Sequence, residues 1–141
     1  MTPKKSSSSD GRRLKLPMCK FNREYDILTN MYKISVYIPC DYLEKVKLAM
    51  FDQGGGRLGN YASCAWQVLG QGQFRPLAQS NPFLGQEGSV ETVKEYLLEM
   101  ICDEKSIKPV IHALKKTHPY EEPAFSIVRL EDFCEEIKPH A

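Results

Sequence analysis

Glu91-Thr92-Val93-Lys94-Glu95-Tyr96-Leu97-Leu98-Glu99-Met100-Ile101-Cys102 is the stretch on which the fold turns. Val93, Leu97 and Met100 suit one face of a helix. Glu91, Val93, Glu95, Leu97, Glu99 and Ile101 suit a strand in which charge and apolar residues alternate. The flanking segments decide between the two. Downstream, Ile107, Val110, Ile111 and Leu114 repeat at helical spacing, with Pro109 tolerable only in the first turn, and the helix must end before Pro119. Phe125 to Leu130 reads as a last strand. Upstream, Tyr32, Ile34, Val36 and Ile38 alternate with Lys33, Ser35 and Tyr37 as a half-buried strand does, and Pro39 ends it. Asp41 with Glu44 three residues on forms a capping-box pattern, and Leu43, Val46, Ala49 and Met50 fall on one helical face. Gly54-Gly55-Gly56 stops that helix, and a second strand is expected from Tyr61 to Leu69, with Cys64, Trp66 and Val68 on one side. Taking 91–102 as a strand gives β-α-β-β-α-β, an α+β ferredoxin-like sandwich: an antiparallel sheet with two helices on one face.

Between the second and third strands, Gly70 to Gly88 is punctuated by glycine and proline and is too long for a hairpin turn. Loops of that length inside a compact domain are usually functional or mobile. Within it, Arg75 stands between Phe74 and Pro76, placed to hold a carboxylate or phosphate, while Phe74 and Phe83 equally suit anchors at a subunit contact. Gly54-x-Gly56-x-x-Gly59 matches the dinucleotide-binding expression in letters but not in context. That fingerprint follows a strand and opens a helix, and this one does the reverse. A backbone nest with Arg57 holding an anion, or a plain C-cap and turn, remain as readings.

His118-Pro119-Tyr120-Glu121-Glu122-Pro123 is the densest chemical cluster. A histidine and two carboxylates are donors for a divalent ion, with His118 and Glu122 as the candidate metal ligands. Adjacent glutamates diverge in an extended segment, so such a site needs Cys64, Asp103 or another subunit to complete it. The competing reading is structural: a helix C-terminal histidine and two prolines stiffening the approach to an edge strand. No hydrolytic triad is visible among His112, His118 and His140 and their sequence neighbours, so no catalytic residue is assigned.

Bulk properties set the frame. The 141 residues have room for one domain, expected over 31–132, with a flexible basic extension over 1–30 and a short tail over 133–141. The net charge of +1 gives no general pull toward nucleic acid or anionic membrane, although residues 1–30 carry +4 and the remainder −3. The first thirty residues, opening with Ser6 to Ser9, read as a solvated tail or as sequence ahead of a start at Met31. Cys19, Cys40, Cys64, Cys102 and Cys134 are odd in number and widely spaced, which favours a reducing, cytoplasmic setting over a disulfide framework or zinc knuckle. No apolar run reaches membrane-spanning length and no secretory leader is evident.

Five stretches in order resemble one family. They are Met31 to Pro39, Gly56 to Tyr61 (Gly-Arg-Leu-Gly-Asn-Tyr), Gly70 to Pro76, Asn81 to Gly85 (Asn-Pro-Phe-Leu-Gly) and His118 to Pro123. Together they are similar to the YqfO proteins of the NIF-three-like (YbgI-type) group, over about residues 31–131. The resemblance implies a stand-alone version of that family's central insert, with PII-like or CutA-like topology. It also implies self-association, most simply as a trimer, and a habit of binding small molecules or anions in clefts between subunits. The candidate ligand-binding residues are then Arg57, Asn60, Arg75, Tyr120 and Glu121. The flanking halves that supply a dinuclear metal site in larger members have no counterpart here, so a hydrolase activity does not carry over. What is expected is a non-catalytic oligomeric binding or regulatory module with no firm cofactor, the alternative being a divalent-metal protein of CutA type, and after it an enzyme whose site assembles between subunits.

Overall fold

A computed structural model describes residues 30–131. The expected extension over 1–30, Asn30 apart, and the tail over 133–141 lie outside the described residues. The elements run β1 (Met31–Pro39), a 3-10 turn (Cys40–Tyr42), α1 (Leu43–Asp52), β2 (Trp66–Phe74), β3 (Glu91–Asp103), α2 (Ile107–Thr117) and β4 (Phe125–Arg129). The sheet order is β2-β3-β1-β4 and every neighbouring pair is antiparallel. β1 and β2 therefore run parallel with β3 between them, the split βαβ arrangement that the 91–102 reading required.

Period-two alternation sorts the residues of β1 and β3 by face. Ile34, Val36 and Ile38 pair in register with Met100, Leu98 and Tyr96, and this row meets Leu43, Val46 and Met50 of α1 and Val110 and Leu114 of α2. Each such apolar side chain taken from water contributes about 1.5–3 kcal/mol before entropy is counted. The buried row of β3 is thus Leu98, Met100 and Cys102. The Glu91–Ile101 series, by contrast, lies along the face away from the helices. Burial, and then the neighbouring Asp103 charge, pushes the Cys102 thiol up to about 11. It packs as a small hydrophobe.

Two local expectations need correction. α1 has no side-chain cap. Tyr42 is its N-cap residue, Asp41 sits inside the preceding 3-10 turn, and Glu44 pairs with Lys47 at 2.6 Å instead of reaching back. At the junction the Leu43 amide donates to the Cys40 carbonyl, closing the 3-10 turn. β2 begins five residues later than expected, at Trp66, and continues through Gly70-Gln71-Gly72-Gln73-Phe74. Glycine weakens a strand intrinsically, but these two lie beside Glu95 on β3, and a Cβ on Gly72 would collide with the Glu95 side chain. The connecting loop accordingly shortens to residues 75–90.

Candidate functional site

At the Pro39 end of the sheet, the 75–90 loop and the 118–124 segment enclose a cavity of about 240 Å³. Its walls are Tyr37, Gln73, Phe74, Pro76, Ser80, Pro82, Phe83, Leu84, Glu95, Tyr120, Glu121, Glu122 and Ala124. Three aromatic rings meet here: Tyr120 lies 6.0 Å from Phe74 and 6.3 Å from Phe83, centroid to centroid. Phe83 also meets Tyr42 edge-on at 5.6 Å, which ties the loop to the start of α1. A second tie is polar: the Asn81 amide donates to Glu121 Oε2 at 2.9 Å.

The 118–124 segment is fixed from below by His118, the one buried polar side chain among the described residues. The Tyr120 amide donates to His118 Nδ1 at 3.1 Å, so Nδ1 is the acceptor, and the ring proton sits on Nε2, which donates to the Tyr37 carbonyl at 2.7 Å. Both ring nitrogens are engaged in the neutral tautomer. Burial holds the imidazole below its ordinary pKa, with the Tyr37 hydrogen bond acting in the opposite sense. The ring stacks at a tilt on Tyr120, 5.0 Å between centroids, and so sets the position of that wall.

Charge in the cavity is negative. Glu95 projects from β3 on the open face, half-buried, and desolvation raises its pKa above the usual carboxylate value. Four residues along the same face, Glu99 accepts from Ser35 Oγ at 2.9 Å and pairs with Lys33 at 3.5 Å. Glu95 makes no hydrogen bond or ion pair among the described residues. The Tyr120 hydroxyl is buried and likewise without a partner there, and burial, with Glu95 adding its charge, pushes it up to about 12.

Of the residues singled out in the sequence, Tyr120, Glu121 and Glu122 come together with Phe74 and Phe83. Arg75 is exposed and flanks the cavity without lining it. Arg57 and Asn60 belong to the opposite end of the sheet: the Gly56 amide donates to the Ile101 carbonyl, six residues along β3 from Glu95, or about 20 Å. The glycine run there is structural. The Gly54, Gly55 and Gly56 amides bond the Phe51, Met50 and Ile101 carbonyls, which leaves no nest of free donors in the run. Gly56 has φ +72°, and a Cβ on it would stand 2.6 Å from the Cys64 carbonyl oxygen. Among the described residues no three His, Cys, Asp or Glu side chains converge. Asp103 lies opposite Met31, six residues along β1 from Tyr37, and so far from His118. Tyr37 and Glu95 were not singled out in the sequence. The available signal was the pair of strand glycines, Gly70 and Gly72, which make room beside one acidic residue.

No family model matches the chain. A Bacillus subtilis (strain 168) protein named GTP cyclohydrolase 1 type 2 homolog is 41% identical over 99 residues, which is 70% of this chain and 26% of the relative. The structure of a Bacillus cereus protein related to NIF3 superposes with a TM-score of 0.62 at 33% identity, covering 73% of this chain and 26% of that one. CutA from Synechococcus elongatus superposes with a TM-score of 0.54 over 77% of this chain and 85% of its own, at 12% identity, a likeness of fold alone. The chain spans about a quarter of the length of the curated relatives it matches.

Proposed function

Because the described domain belongs to the YqfO/NIF3 family, we propose that it is a non-catalytic binding module that self-associates and holds a small ligand in the cavity between the 75–90 loop and the 118–124 segment. The observation that carries this reading is the cavity itself. It is walled by aromatic rings, and its loop is held down by the Asn81–Glu121 bond. Mostly apolar walls with a few convergent polar groups are what small-molecule sites use. The polar groups in its lining are three carboxylates, two phenols, the Gln73 amide and the Ser80 hydroxyl, and Ser80 donates to the Leu77 carbonyl rather than to a base, which favours binding over catalysis. The name borne by the curated relatives belongs to whole proteins of which the matched segment is about a quarter.

The face of the sheet away from the helices supports self-association, as a trimer by the family resemblance. Trp66, Val68, Tyr37 and Val128 stand exposed on it, at 60%, 43%, 45% and 50%. Exposed apolar side chains clustered on one face mark interaction surfaces. Cys40, Cys64 and Cys102 are unpaired thiols, which suits a cytoplasmic setting. No helix among the described residues is long and apolar enough to cross a membrane. A divalent-metal role has less support, since His118 has no free nitrogen to offer and Glu122 is exposed.

A thermal-shift screen of the purified chain against small metabolites tests the reading. Ligands that bind the folded state raise its melting temperature by mass action. Compounds that stabilise the native chain are expected to lose that effect with Phe83→Ala, whose ring is half exposed and is a wall of the cavity. Stabilisation that survives the substitution unchanged would place binding elsewhere.

A further inference from the structure

Two polar groups in the cavity lack partners, and they lie close enough that the charge of one shifts the titration of the other: the Glu95 carboxylate and the Tyr120 hydroxyl. Left so, both are unfavourable. A buried hydroxyl without a hydrogen bond carries its desolvation penalty uncompensated. A half-buried carboxylate without a counter-ion is disfavoured in its charged form, which is why its pKa stands raised. The neighbouring strand makes room for this carboxylate, since a side chain at Gly72 would collide with it. Farther along the same face of β3, Glu99 has partners in Lys33 and Ser35, whereas Glu95, more deeply set in the cavity wall, has none among the described residues.

The surroundings discriminate among ligand classes. No lysine, arginine or histidine lines the cavity, whereas Glu95, Glu121 and Glu122 do. An anion would meet carboxylates without compensation. A neutral apolar molecule would leave Glu95 and the Tyr120 hydroxyl as they are. The faces of Phe74, Phe83 and Tyr120 carry the negative side of the aromatic quadrupole, which attracts organic cations, most strongly where water is excluded.

We propose, resting on the reading of the cavity as a ligand site, that its occupant is a small organic cation of ammonium type, held against Phe74, Phe83 and Tyr120 with Glu95 as its counter-ion. The positive charge of such a cation is met by the Glu95 carboxylate, which supplies the counter-ion that this group lacks. The cavity, at about 240 Å³, is roomy enough for a small amine.

The test titrates the whole chain near neutral pH with tetramethylammonium and, in parallel, with its uncharged near-isostere tert-butanol and with inorganic phosphate, following aromatic side-chain resonances by NMR. Tetramethylammonium is expected to shift the Tyr120 and Phe83 resonances saturably, and to bind at least about tenfold more weakly to Glu95→Gln and to Phe83→Ala. Undiminished binding to Glu95→Gln, or tert-butanol binding as well as the cation, overturns the proposal. Gly72→Ala displaces the same carboxylate from the opposite strand, and its affinity for the cation decides the matter should Glu95→Gln fold poorly. If phosphate or tert-butanol shifts these resonances and Phe83→Ala abolishes the effect, the ligand class is wrong while the cavity stands as a site. If none of the three perturbs the cavity and no metabolite in the thermal screen binds there, both readings fall.

Discussion

At His118, burial and two hydrogen bonds act on a single proton. The Tyr120 amide requires a bare Nδ1, and the imidazolium form would turn two N–H groups toward each other. The folded state therefore binds a proton less readily than the unfolded chain, whose histidine titrates near about 6.5. A depressed folded pKa contributes stability that is complete above about pH 6.5 and is lost as the pH falls from there through the lower folded value. Urea unfolding midpoints of the native chain should fall between about pH 7 and about pH 5.5 more steeply than those of His118→Ala. The variant itself should be less stable by about 1–3 kcal/mol at neutral pH, because the Tyr37 carbonyl and the Tyr120 amide lose their partner. Equal slopes for the two proteins would remove His118 from this role. Added zinc or manganese should shift the melting temperatures of both proteins alike. A second residue-scale test falls on Gly56. Its positive φ and the 2.6 Å approach of the Cys64 carbonyl predict that Gly56→Ala costs on the order of 1–3 kcal/mol, read by the same unfolding measurement.

Among the elements, β3 was legible because topology settled what periodicity could not: a helix over 91–102 would have left β1 with no central partner. Which face of β3 enters the core was not legible, since Leu97 and Leu98 are adjacent and either row offers apolar residues. The limits of β2 were obscured by Gly70 and Gly72, which read as loop punctuation although each is paired across the ladder. The same glycines carry the missing information about Glu95, visible only once the register sets them beside it. A long connection after β2 was legible, though expected over Gly70 to Gly88, but what holds it was not, because the Asn81–Glu121 bond joins residues forty apart. That bond predicts an element-scale effect. Glu121→Ala should speed hydrogen exchange at the Asn81 amide and hasten proteolysis within 75–90, with little change in the global unfolding midpoint, since the contact ties down a surface loop rather than the core. Loop protection equal to that of the native chain would show that the Phe83 ring contacts suffice alone.

For the molecule as a whole, the two helices cover one face of the sheet and leave the other bare, and the proposed assembly and binding both rest on this division. Val68 of β2 and Tyr37 of β1 flank Leu97 of β3 in register on the bare face, and Trp66, two residues from Val68, stands opposite Glu99. Tyr37 is also a wall of the cavity. A partner seated on this face would therefore border the ligand site, and binding and assembly would be linked reciprocally. From the sequence, ligand contacts are expected in clefts between subunits, at Arg57, Asn60, Arg75, Tyr120 and Glu121. Of these, Tyr120 and Glu121 line a cavity within one chain, whereas Arg57 and Asn60 lie toward the other end of the sheet. A linear motif carries no information about which end of a sheet it occupies. The assembly reading is open to one substitution. Burying a tryptophan contributes several times the thermal energy, and a carboxylate in its place must be desolvated instead. Trp66→Glu should thus weaken self-association by at least about a hundredfold, or roughly 3 kcal/mol per contact. Sedimentation velocity at micromolar concentration should show monomer, with far-ultraviolet circular dichroism unchanged because Trp66 makes no part of the core. Phe83→Ala, at the cavity but off the sheet, should leave the sedimentation coefficient where it was. An oligomer indifferent to Trp66→Glu would mean that the bare face is not the contact, and β2 and β4, the outer strands of the described sheet, would be the surfaces to alter next.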